Sequence, residues 1–282
     1  MYVVTGATGQ LGRLVVEGLL AAVPAGEIAV VVRSAAKAEA WAERGVRVHE
    51  ADYNRPGTLD GVFAAGDRVL LISGNELGSR VAQHGAVIDA AAAAGVALLA
   101  YTSAPGAATF RLADEHKATE ELVRAAGVPH TLLRNGWYTE NYLGDAAGTV
   151  ERGVVLGSAG EGRVATAPRR DYADAAVAVL LGEGHENRVY ELSGDAAWSL
   201  PELAAELSQA SGRPVEHRNV SPAEHREVLV GAGVPEGFAE VFVDVDAGIA
   251  RGELAGTPGD LARLIGRPTV PLAESVRAAL KA

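Results

Sequence analysis

Short apolar runs alternate with longer helical stretches through the first half of this chain, and this alternation limits its fold more than any other feature. Several of the runs are apolar at nearly every position, which is typical of strands covered on both faces. A strand–helix–strand unit places its two strands in parallel, so the order predicts a doubly wound α/β sheet. The predicted strands are 2–5, 28–33, 46–50, 68–72, 96–102 and 130–134, and the predicted helices are 11–22, 35–44, 58–64, 81–94 and 113–126.

The alternation stops after about residue 136. Residues 148–168 are rich in glycine and small side chains, and the rest mixes helices with two more strands, predicted at 188–193 and 215–220. We therefore predict a sheet domain over residues 1–145 and a smaller mixed α/β C-terminal lobe over residues 146–282. The boundary is soft, because no linker marks it and the last part of the chain can return to the sheet.

Composition excludes several classes of function. The formal net charge of −11 disfavours binding to nucleic acid or to an anionic membrane surface. The chain has no cysteine, which excludes disulfides, Fe–S clusters and thiolate zinc sites, and we expect no metal. We also expect no membrane span and a cytoplasmic location, because no apolar stretch is long enough to cross a bilayer and the N-terminus carries no targeting pattern.

A glycine-rich loop separates the first strand from the first helix. One glycine permits the tight turn, another lets the backbone approach a pyrophosphate, and the last allows close packing of the helix. The helix N-terminus then directs its N–H groups at the phosphates. With the strand–helix units behind it, the loop predicts a Rossmann-type, dinucleotide-binding fold rather than a structural turn. Its residues are Gly6, Ala7, Thr8, Gly9, Gln10, Leu11 and Gly12, and their spacing resembles that of the extended and atypical short-chain dehydrogenases.

The end of the second strand distinguishes the two nicotinamide cofactors. An acidic residue there bonds the ribose hydroxyls of NAD, but this chain carries Arg33, with Lys37 one helical turn further on. A guanidinium can hold a 2′-phosphate through two hydrogen bonds. We therefore predict NADPH as the cofactor, with NADH binding more weakly, although Arg33 could also be an ordinary surface charge.

Further candidates follow the third and fourth strands. Asp52 could accept a hydrogen bond from the adenine amino group, or it could be an acidic residue in a turn. Ser73, Gly74 and Asn75 are small enough to let the backbone lie against the ribose and nicotinamide, or they could form an ordinary glycine turn. We predict that both groups contact the cofactor.

The segment after the sixth strand lies at the same predicted ligand edge. Asn135 could bond the nicotinamide carboxamide, and Trp137 or Tyr138 could offer a flat face to a planar acceptor. Aromatic packing between the lobes is the alternative. Phe110 and Tyr142 are further candidates for the substrate pocket. The predicted cofactor contacts in this segment are Asn135, Gly136, Trp137, Tyr138, Thr139 and Glu140.

The proton-donating pair of ordinary short-chain dehydrogenases, Tyr-x-x-x-Lys, is missing. On the helix where it should lie, the two positions carry His116 and Glu120. This disfavours ordinary ketone chemistry and suits hydride transfer to a quinone, whose oxygens can take a proton from water or a weak acid. His116 could be that acid, could line the pocket, or could form a surface pair with Glu120.

Nearly the whole chain resembles the type 2 NAD(P)H:quinone oxidoreductases, in the NmrA-like branch of the atypical short-chain dehydrogenases. The resemblance implies a two-lobed monomer fold, NADPH in the cleft, and two-electron quinone reduction, with the cofactor held by residues 6–11, 33, 73–75 and 135–140. The chain departs from the family at 73–75, where serines are usual, and at 104–112, which is shorter and leaves the substrate preference open. The matching stretches are 5–12, 31–33, 51–53, 70–73, 100–103, 113–116, 131–142, 171–173, 189–194 and 264–268.

These residues are consistent with three functions. The first is an NADPH-dependent quinone reductase whose partner is a small quinone or a related electron acceptor. The second is a non-catalytic redox sensor that binds the dinucleotide and regulates another protein. The third is a biosynthetic reductase of a ketone, imine or enone, in which His116 replaces the missing tyrosine. Whether the chain forms a homodimer is left open.

Overall fold

The computed structural model describes residues 1–106, 109 and 111–281, apart from the side chain at position 112. Within these residues the main sheet has seven parallel strands, in the order β3-β2-β1-β4-β5-β6-β9. This confirms the predicted Rossmann-type doubly wound sheet. Its strands are β1 (Tyr2–Thr5), β2 (Ile28–Val32), β3 (Arg47–Glu50), β4 (Arg68–Leu71), β5 (Leu98–Ser103), β6 (His130–Asn135) and β9 (Arg188–Leu192).

Helices cover both faces of this sheet, and alternate residues of each strand point to opposite faces. In β1, Val4 belongs to the core beneath the first and seventh helices, whereas Val3 belongs to the core beneath the third and fourth. The helices are α1 (Gln10–Ala22), α2 (Glu39–Ala42), α3 (Arg80–Ala94), α4 (Arg111–Ala125), α5 (Glu140–Leu143), α6 (Ala146–Arg152), α7 (Arg169–Leu181), α8 (Leu200–Ser211), α9 (Pro222–Gly231), α10 (Glu236–Ala250), α11 (Asp260–Ile265) and α12 (Leu272–Ala279).

A second lobe has its own core and two small sheets. In one sheet β7 (Val154–Gly157) pairs in parallel with β11 (Glu216–Asn219). In the other, β8 (Arg163–Val164) pairs antiparallel with β10 (Trp198–Ser199). Their buried core includes Val155, Trp198, Leu203 and Val245, and it is separate from the two cores of the main sheet.

The two units interleave along the chain. Strand β9 lies beside β6 as the seventh strand of the main sheet, and α7 packs against α1, where a Cβ on Gly18 would lie 2.9 Å from Val177. Residues 169–192 therefore belong with the sheet, although the sequence placed them in the smaller lobe. The boundary after residue 145 stays a prediction, but it does not separate the cores cleanly.

Two predicted helices are wrong in extent. The predicted helix 35–44 is a 3-10 turn, Ala35–Ala38, followed by the single turn of α2. The predicted helix 58–64 is a 3-10 turn, Pro56–Leu59. Glycine at 57 and 61 explains the second case, because Gly61 has φ +71° and glycine is a poor helix former.

Candidate functional site

The carboxyl ends of the parallel strands gather most of the predicted site residues along one edge. The glycine loop follows β1, Arg33 follows β2, Asp52 lies just beyond β3, Ser73 lies just beyond β4, and Asn135 ends β6. Because all of these strands run in the same direction, their ends meet at the edge where ligands bind in this class of sheet.

The glycine loop is packed so tightly that it admits no side chain at its last position. A Cβ on Gly12 would contact the Gly6 carbonyl oxygen and would lie 2.7 Å from Ala7 Cα. Gly6 has φ +60°, which favours glycine, and its carbonyl accepts a hydrogen bond from Gly9 N–H at 3.0 Å. The tight turn and the close helix packing predicted from the sequence are therefore present, and the approach of the backbone to a pyrophosphate stays a prediction.

The N-terminus of α1 is arranged to receive an anion. Its N-cap, Gly9, has no capping side chain, and the first turn holds no acidic residue. The first N–H groups of a helix have no acceptor within the helix, and they carry the positive end of its dipole. Arg13, which the sequence analysis missed, donates to the Thr8 carbonyl at 3.0 Å and adds a cation beside the loop. Its place on the first turn of the helix was the signal for it.

Arg33 extends into solvent at the end of β2, and its side chain is 77% exposed. Its Nη1 forms an ion pair of 3.0 Å with Glu76, which lies in the loop after β4. The guanidinium is thus accessible for the predicted phosphate contact, but a carboxylate already lies against it. The sequence analysis did not single out Glu76.

The loop after β4 is held in place by side chains of α3 and β5. Ser73 N–H donates to Thr102 Oγ1 at 2.9 Å. Gly74 N–H donates to His84 Nε2 at 2.9 Å, and its carbonyl accepts from Arg80 Nε at 2.8 Å. Gly74 is therefore held through both its N–H group and its carbonyl oxygen, and the contact of this segment with the cofactor stays a prediction.

Asp52 is mostly occupied by its own turn. Its carboxylate accepts from Asn54 N–H at 3.0 Å and from Arg55 Nε at 3.2 Å. The hydrogen bond from Asn54 lowers the pKa of the Asp52 carboxyl, and the contact with Arg55 lowers it further. These contacts favour the alternative of an acidic residue in a turn, although Asp52 still lies at the ligand edge.

Asn135 presents a buried polar atom without a partner. Its Nδ2 donates to the Tyr138 hydroxyl at 3.3 Å, but its Oδ1 is buried and has no hydrogen bond among the described residues. An unpaired buried acceptor is costly unless a ligand satisfies it. Asn135 is therefore well suited to accept from the amide of a bound nicotinamide.

Residues 136–140 connect the main sheet to the segment before α7. Gly136 N–H donates to the Leu192 carbonyl at 2.7 Å, and Thr139 N–H donates to the Ala167 carbonyl at 3.0 Å. The Glu140 carboxylate accepts from the backbone N–H of Arg169 at 2.9 and 3.1 Å, so it caps the start of α7. Thr139 and Glu140 thus have structural partners at the positions where cofactor contacts were predicted.

The aromatic candidates pack against other side chains rather than lining an accessible surface. Trp137 meets Phe242 of the second lobe edge to face at 6.0 Å, which supports the packing alternative. The Tyr138 ring is covered by the Arg169 guanidinium at 4.6 Å. Tyr142 packs on Trp198 at 5.0 Å, and its hydroxyl is buried without a partner among the described residues. Phe110 lies outside the described residues.

His116 lies inside the protein rather than on its surface. Its Nδ1 shares a hydrogen bond of 2.8 Å with the Tyr101 hydroxyl, in the layer between β5 and α4. Burial, with a smaller contribution from the nearby Arg80, lowers the pKa of His116 to about 3. The imidazole is therefore neutral at pH 7, which argues against the predicted role of proton donor.

Glu120, one turn beyond His116, is also buried and makes different contacts. Its carboxylate accepts from Arg134 at 2.8 and 2.7 Å and from the Ser103 hydroxyl at 2.7 Å. A surface pair of His116 and Glu120 is therefore wrong, because both side chains point inward. Glu120 instead ties α4 to the ends of β5 and β6.

One polar cluster of the second lobe escaped the sequence analysis. The Ser158 hydroxyl lies 3.0 Å from His225 Nδ1 and donates to Asp246 Oδ2 at 3.2 Å. Asp246 Oδ2 also lies 3.2 Å from the same His225 nitrogen. A nucleophilic triad needs the serine and the carboxylate on opposite nitrogens of the imidazole. The cluster therefore joins β7, α9 and α10 without forming a relay.

The described part of the chain contains neither a metal-binding cluster nor a membrane-spanning helix. There, no three His, Asp or Glu side chains are placed to hold a metal ion. No helix within the same residues is long and apolar enough to cross a bilayer.

A sequence model of NAD(P)H-binding proteins matches residues 6–183, which span the glycine loop and most of the sheet. The chain belongs to this NAD(P)H-binding family. Over 278 residues it is 48% identical to quinone oxidoreductase 2 of Escherichia coli strain K12, covering 98% of this chain and 97% of that protein.

Two solved structures of such NAD(P)H-binding proteins share the whole fold. One is an NADPH-dependent quinone oxidoreductase of Escherichia coli in complex with NADPH, with a TM-score of 0.96, 47% identity, and coverage of 99% of this chain and 100% of that one. The other is the triphenylmethane reductase of Citrobacter sp. with NADP(H), with a TM-score of 0.95, 42% identity, and the same coverage. They confirm the family and the fold predicted from the sequence.

Proposed function

We propose that this chain is an NADPH-dependent oxidoreductase that reduces quinones by direct two-electron transfer. One observation carries the proposal: the glycine loop, Arg33 and Asn135 meet at the carboxyl edge of the sheet, while His116, at the helix position of the usual proton donor, is buried. The comparisons support it, because quinone oxidoreductase 2 of Escherichia coli is similar to this chain in sequence and, as a solved structure with NADPH, in fold. A cytoplasmic location stays a prediction, as does the choice between a monomer and a homodimer.

Each part of the carboxyl edge has its own role in binding the cofactor. The loop from Gly6 to Gly12 and the uncapped start of α1 hold the pyrophosphate. Arg33 holds the 2′-phosphate, with NADH binding more weakly because it lacks that group. Ser73, Gly74 and Asn75 support the ribose on a backbone that α3 keeps rigid.

Asn135 orients the reacting end of the cofactor. Its buried Oδ1 accepts from the carboxamide of the nicotinamide, which satisfies an acceptor that has no partner among the described residues. When bound, NADPH supplies a hydride from nicotinamide C4, and a quinone that takes up this hydride and one proton becomes a hydroquinone. The protein's contribution is alignment of the two rings and exclusion of competing reactions.

The proton comes from water rather than from His116. A neutral imidazole that is buried against Tyr101 is a poor acid at pH 7. A hydroquinone oxygen needs no strong acid, since its proton can be taken up after the hydride has been transferred. The missing Tyr-x-x-x-Lys pair is thus explained by the chemistry of the acceptor.

The acceptor binds between the segment after β6 and the second lobe. The Tyr142 hydroxyl has no partner among the described residues, but it is buried beside Trp198, so it bonds a quinone oxygen only if this aromatic packing opens. Trp137 shapes the pocket from its packing position on Phe242. Phe110 remains a candidate for the same pocket.

The test follows NADPH oxidation with benzoquinone or menadione at saturating cofactor, with a triphenylmethane dye as a second acceptor. We expect turnover with quinone without added flavin or metal. Cofactor binding without turnover on any acceptor would favour the redox sensor. Turnover on a ketone or enone but not on quinones would favour the biosynthetic reductase.

A further inference from the structure

Glu76 lies between two donors in the loop after β4. Its Oε1 accepts from Arg33 Nη1 at 3.0 Å, and its Oε2 accepts from Gln83 Nε2 at 2.6 Å. Its side chain is 46% exposed, whereas Gln83 is buried. The carboxylate therefore links the end of β2 to the start of α3.

This link crosses the cofactor groove. Strands β2 and β4 are the two neighbours of β1 in the sheet, and the glycine loop follows β1. An ion pair between Arg33 after β2 and Glu76 after β4 therefore spans the end of β1. An adenosine that lies on the loop and reaches Arg33 must enter the same space.

The position of Glu76 is fixed by residues that are themselves held in place. Gln83 donates from the same amide nitrogen to Asn54 Oδ1 at 3.1 Å, so the group that holds Glu76 is itself anchored. Further along the loop, Gly78 N–H donates to Glu115 Oε1 at 2.7 Å. With Gly74 fixed on α3, the loop is braced on both sides of Glu76.

We propose that Glu76 competes with the 2′-phosphate of NADPH for Arg33 and thereby sets how strongly the protein prefers NADPH to NADH. The proposal rests on the proposed function, in which Arg33 recognises that phosphate. A phosphate on Arg33 either displaces the carboxylate from Nη1 or binds the other guanidinium nitrogens and lies beside a like charge. The 2′-hydroxyl of NADH can instead donate to the same carboxylate, as it does to the acidic residue of NAD-binding sites. Glu76 thus weakens NADPH binding and tolerates NADH.

The experiment measures Kd for NADPH and NADH by fluorescence titration at low salt. The variants are Glu76→Gln, which keeps the size and one of the two accepting oxygens but removes the charge, and Arg33→Ala. Since exposed ion pairs are weak, we expect Glu76→Gln to lower Kd for NADPH by about two- to fivefold and not to lower Kd for NADH. This gain should shrink as salt screens the charges. Glu27→Gln, at the opposite edge of the sheet, is the matched control for net charge and should change neither value.

The phosphate contact of Arg33 and the competition by Glu76 are contradicted by different results. If Arg33→Ala leaves Kd for NADPH unchanged, the phosphate assignment is wrong. If Arg33→Ala weakens NADPH binding while Glu76→Gln leaves it unchanged or weakens it, the assignment stands and the competition by Glu76 is refuted. An equal gain in Glu27→Gln, or an equal gain for NADH in Glu76→Gln, would likewise overturn the competition.

Discussion

Two polar regions lie close together in this protein and differ in how their groups are satisfied. Along the carboxyl edge of the sheet, α1 begins without a capping side chain, Arg33 extends into solvent, and Asn135 has a buried oxygen without a partner among the described residues. In the layer between β5 and helices α3 and α4, His84 and His116 are instead buried in hydrogen bonds to their neighbours.

This difference indicates that the carboxyl edge binds the cofactor, whereas the inner layer holds the edge in position. A buried acceptor without a partner, such as Asn135 Oδ1, is costly unless a ligand completes it, whereas a satisfied internal network needs nothing from outside. The inner network does act on the edge, because His84 and Arg80 hold Gly74 in place. In the His84 ring, Nε2 accepts from Gly74, so the proton lies on Nδ1 and is donated to Thr119 Oγ1 at 3.1 Å.

The largest expected effect is at the edge, from Gly12→Val. The new side chain would collide with the Gly6 carbonyl and Ala7, so the loop must move and its N–H groups no longer converge on the phosphates. Since hydrogen bonds to charged groups are worth about 1.5–3 kcal/mol each, NADPH affinity should fall by about 100-fold or more in a calorimetric titration.

Overpacking should also lower the unfolding free energy of Gly12→Val by about 1–3 kcal/mol. The control is Gly26→Ala at the opposite edge, where a Cβ meets nothing within 4 Å. Unchanged NADPH affinity in Gly12→Val would mean that the loop does not hold the cofactor.

A smaller effect comes from the inner layer and depends on pH. Burial lowers the pKa of His84 and of His116 from 6.5 to about 3. Between these values the unfolded chain binds more protons than the folded one. The unfolding free energy therefore has its full value above pH 6.5 and falls as the pH drops toward 3. For each histidine the loss at pH 5 should be on the order of 2 kcal/mol.

Urea unfolding at pH 7.5, 6 and 5 measures this dependence. The variant His116→Gln, which can still bond Tyr101, should reduce the slope between pH 6 and 5 because one of the two buried imidazoles is gone. An identical slope in the variant would show that His116 titrates normally in the folded protein.

The smallest expected effect is on catalysis, from the same His116→Gln variant. A true proton donor contributes about 10²–10⁴-fold, whereas we expect kcat/KM for benzoquinone to change by less than about fivefold at pH 7. The steady-state rate should also show no ionisation of His116 between pH 6 and 8. A loss of activity beyond that range, in a variant that folds and binds NADPH normally, would return His116 to the site.

The sequence predicted the edge better than the interior, for a physical reason. Where parallel strands end is fixed by the order of strands and helices, so the loop at Gly6 and the position of Arg33 followed from local patterns. Burial of His116 depends on what packs over its helix, and four residues of spacing could not show that α3 and β5 enclose it.

Long-range partners were likewise beyond reach. The strand at 188–193 was predicted, but its pairing with β6 was not, because β9 is half exposed, carries charged residues and lies far from β6 in the chain. Glu76 was missed because its partner, Arg33, lies 43 residues earlier and meets it only across the end of β1.

The most direct test of the whole account is a single turnover in which the protein, saturated with NADPH, is mixed with benzoquinone in the presence of a chelator and without flavin. Cofactor deuterated at nicotinamide C4 is compared with ordinary cofactor, and the oxidation of NADPH is followed by stopped flow. We predict one hydroquinone for each NADPH and a slower reaction with the deuterated cofactor, because the hydride moves directly between the two rings held at this edge. No oxidation of bound NADPH, or oxidation that requires an added flavin, would contradict the account.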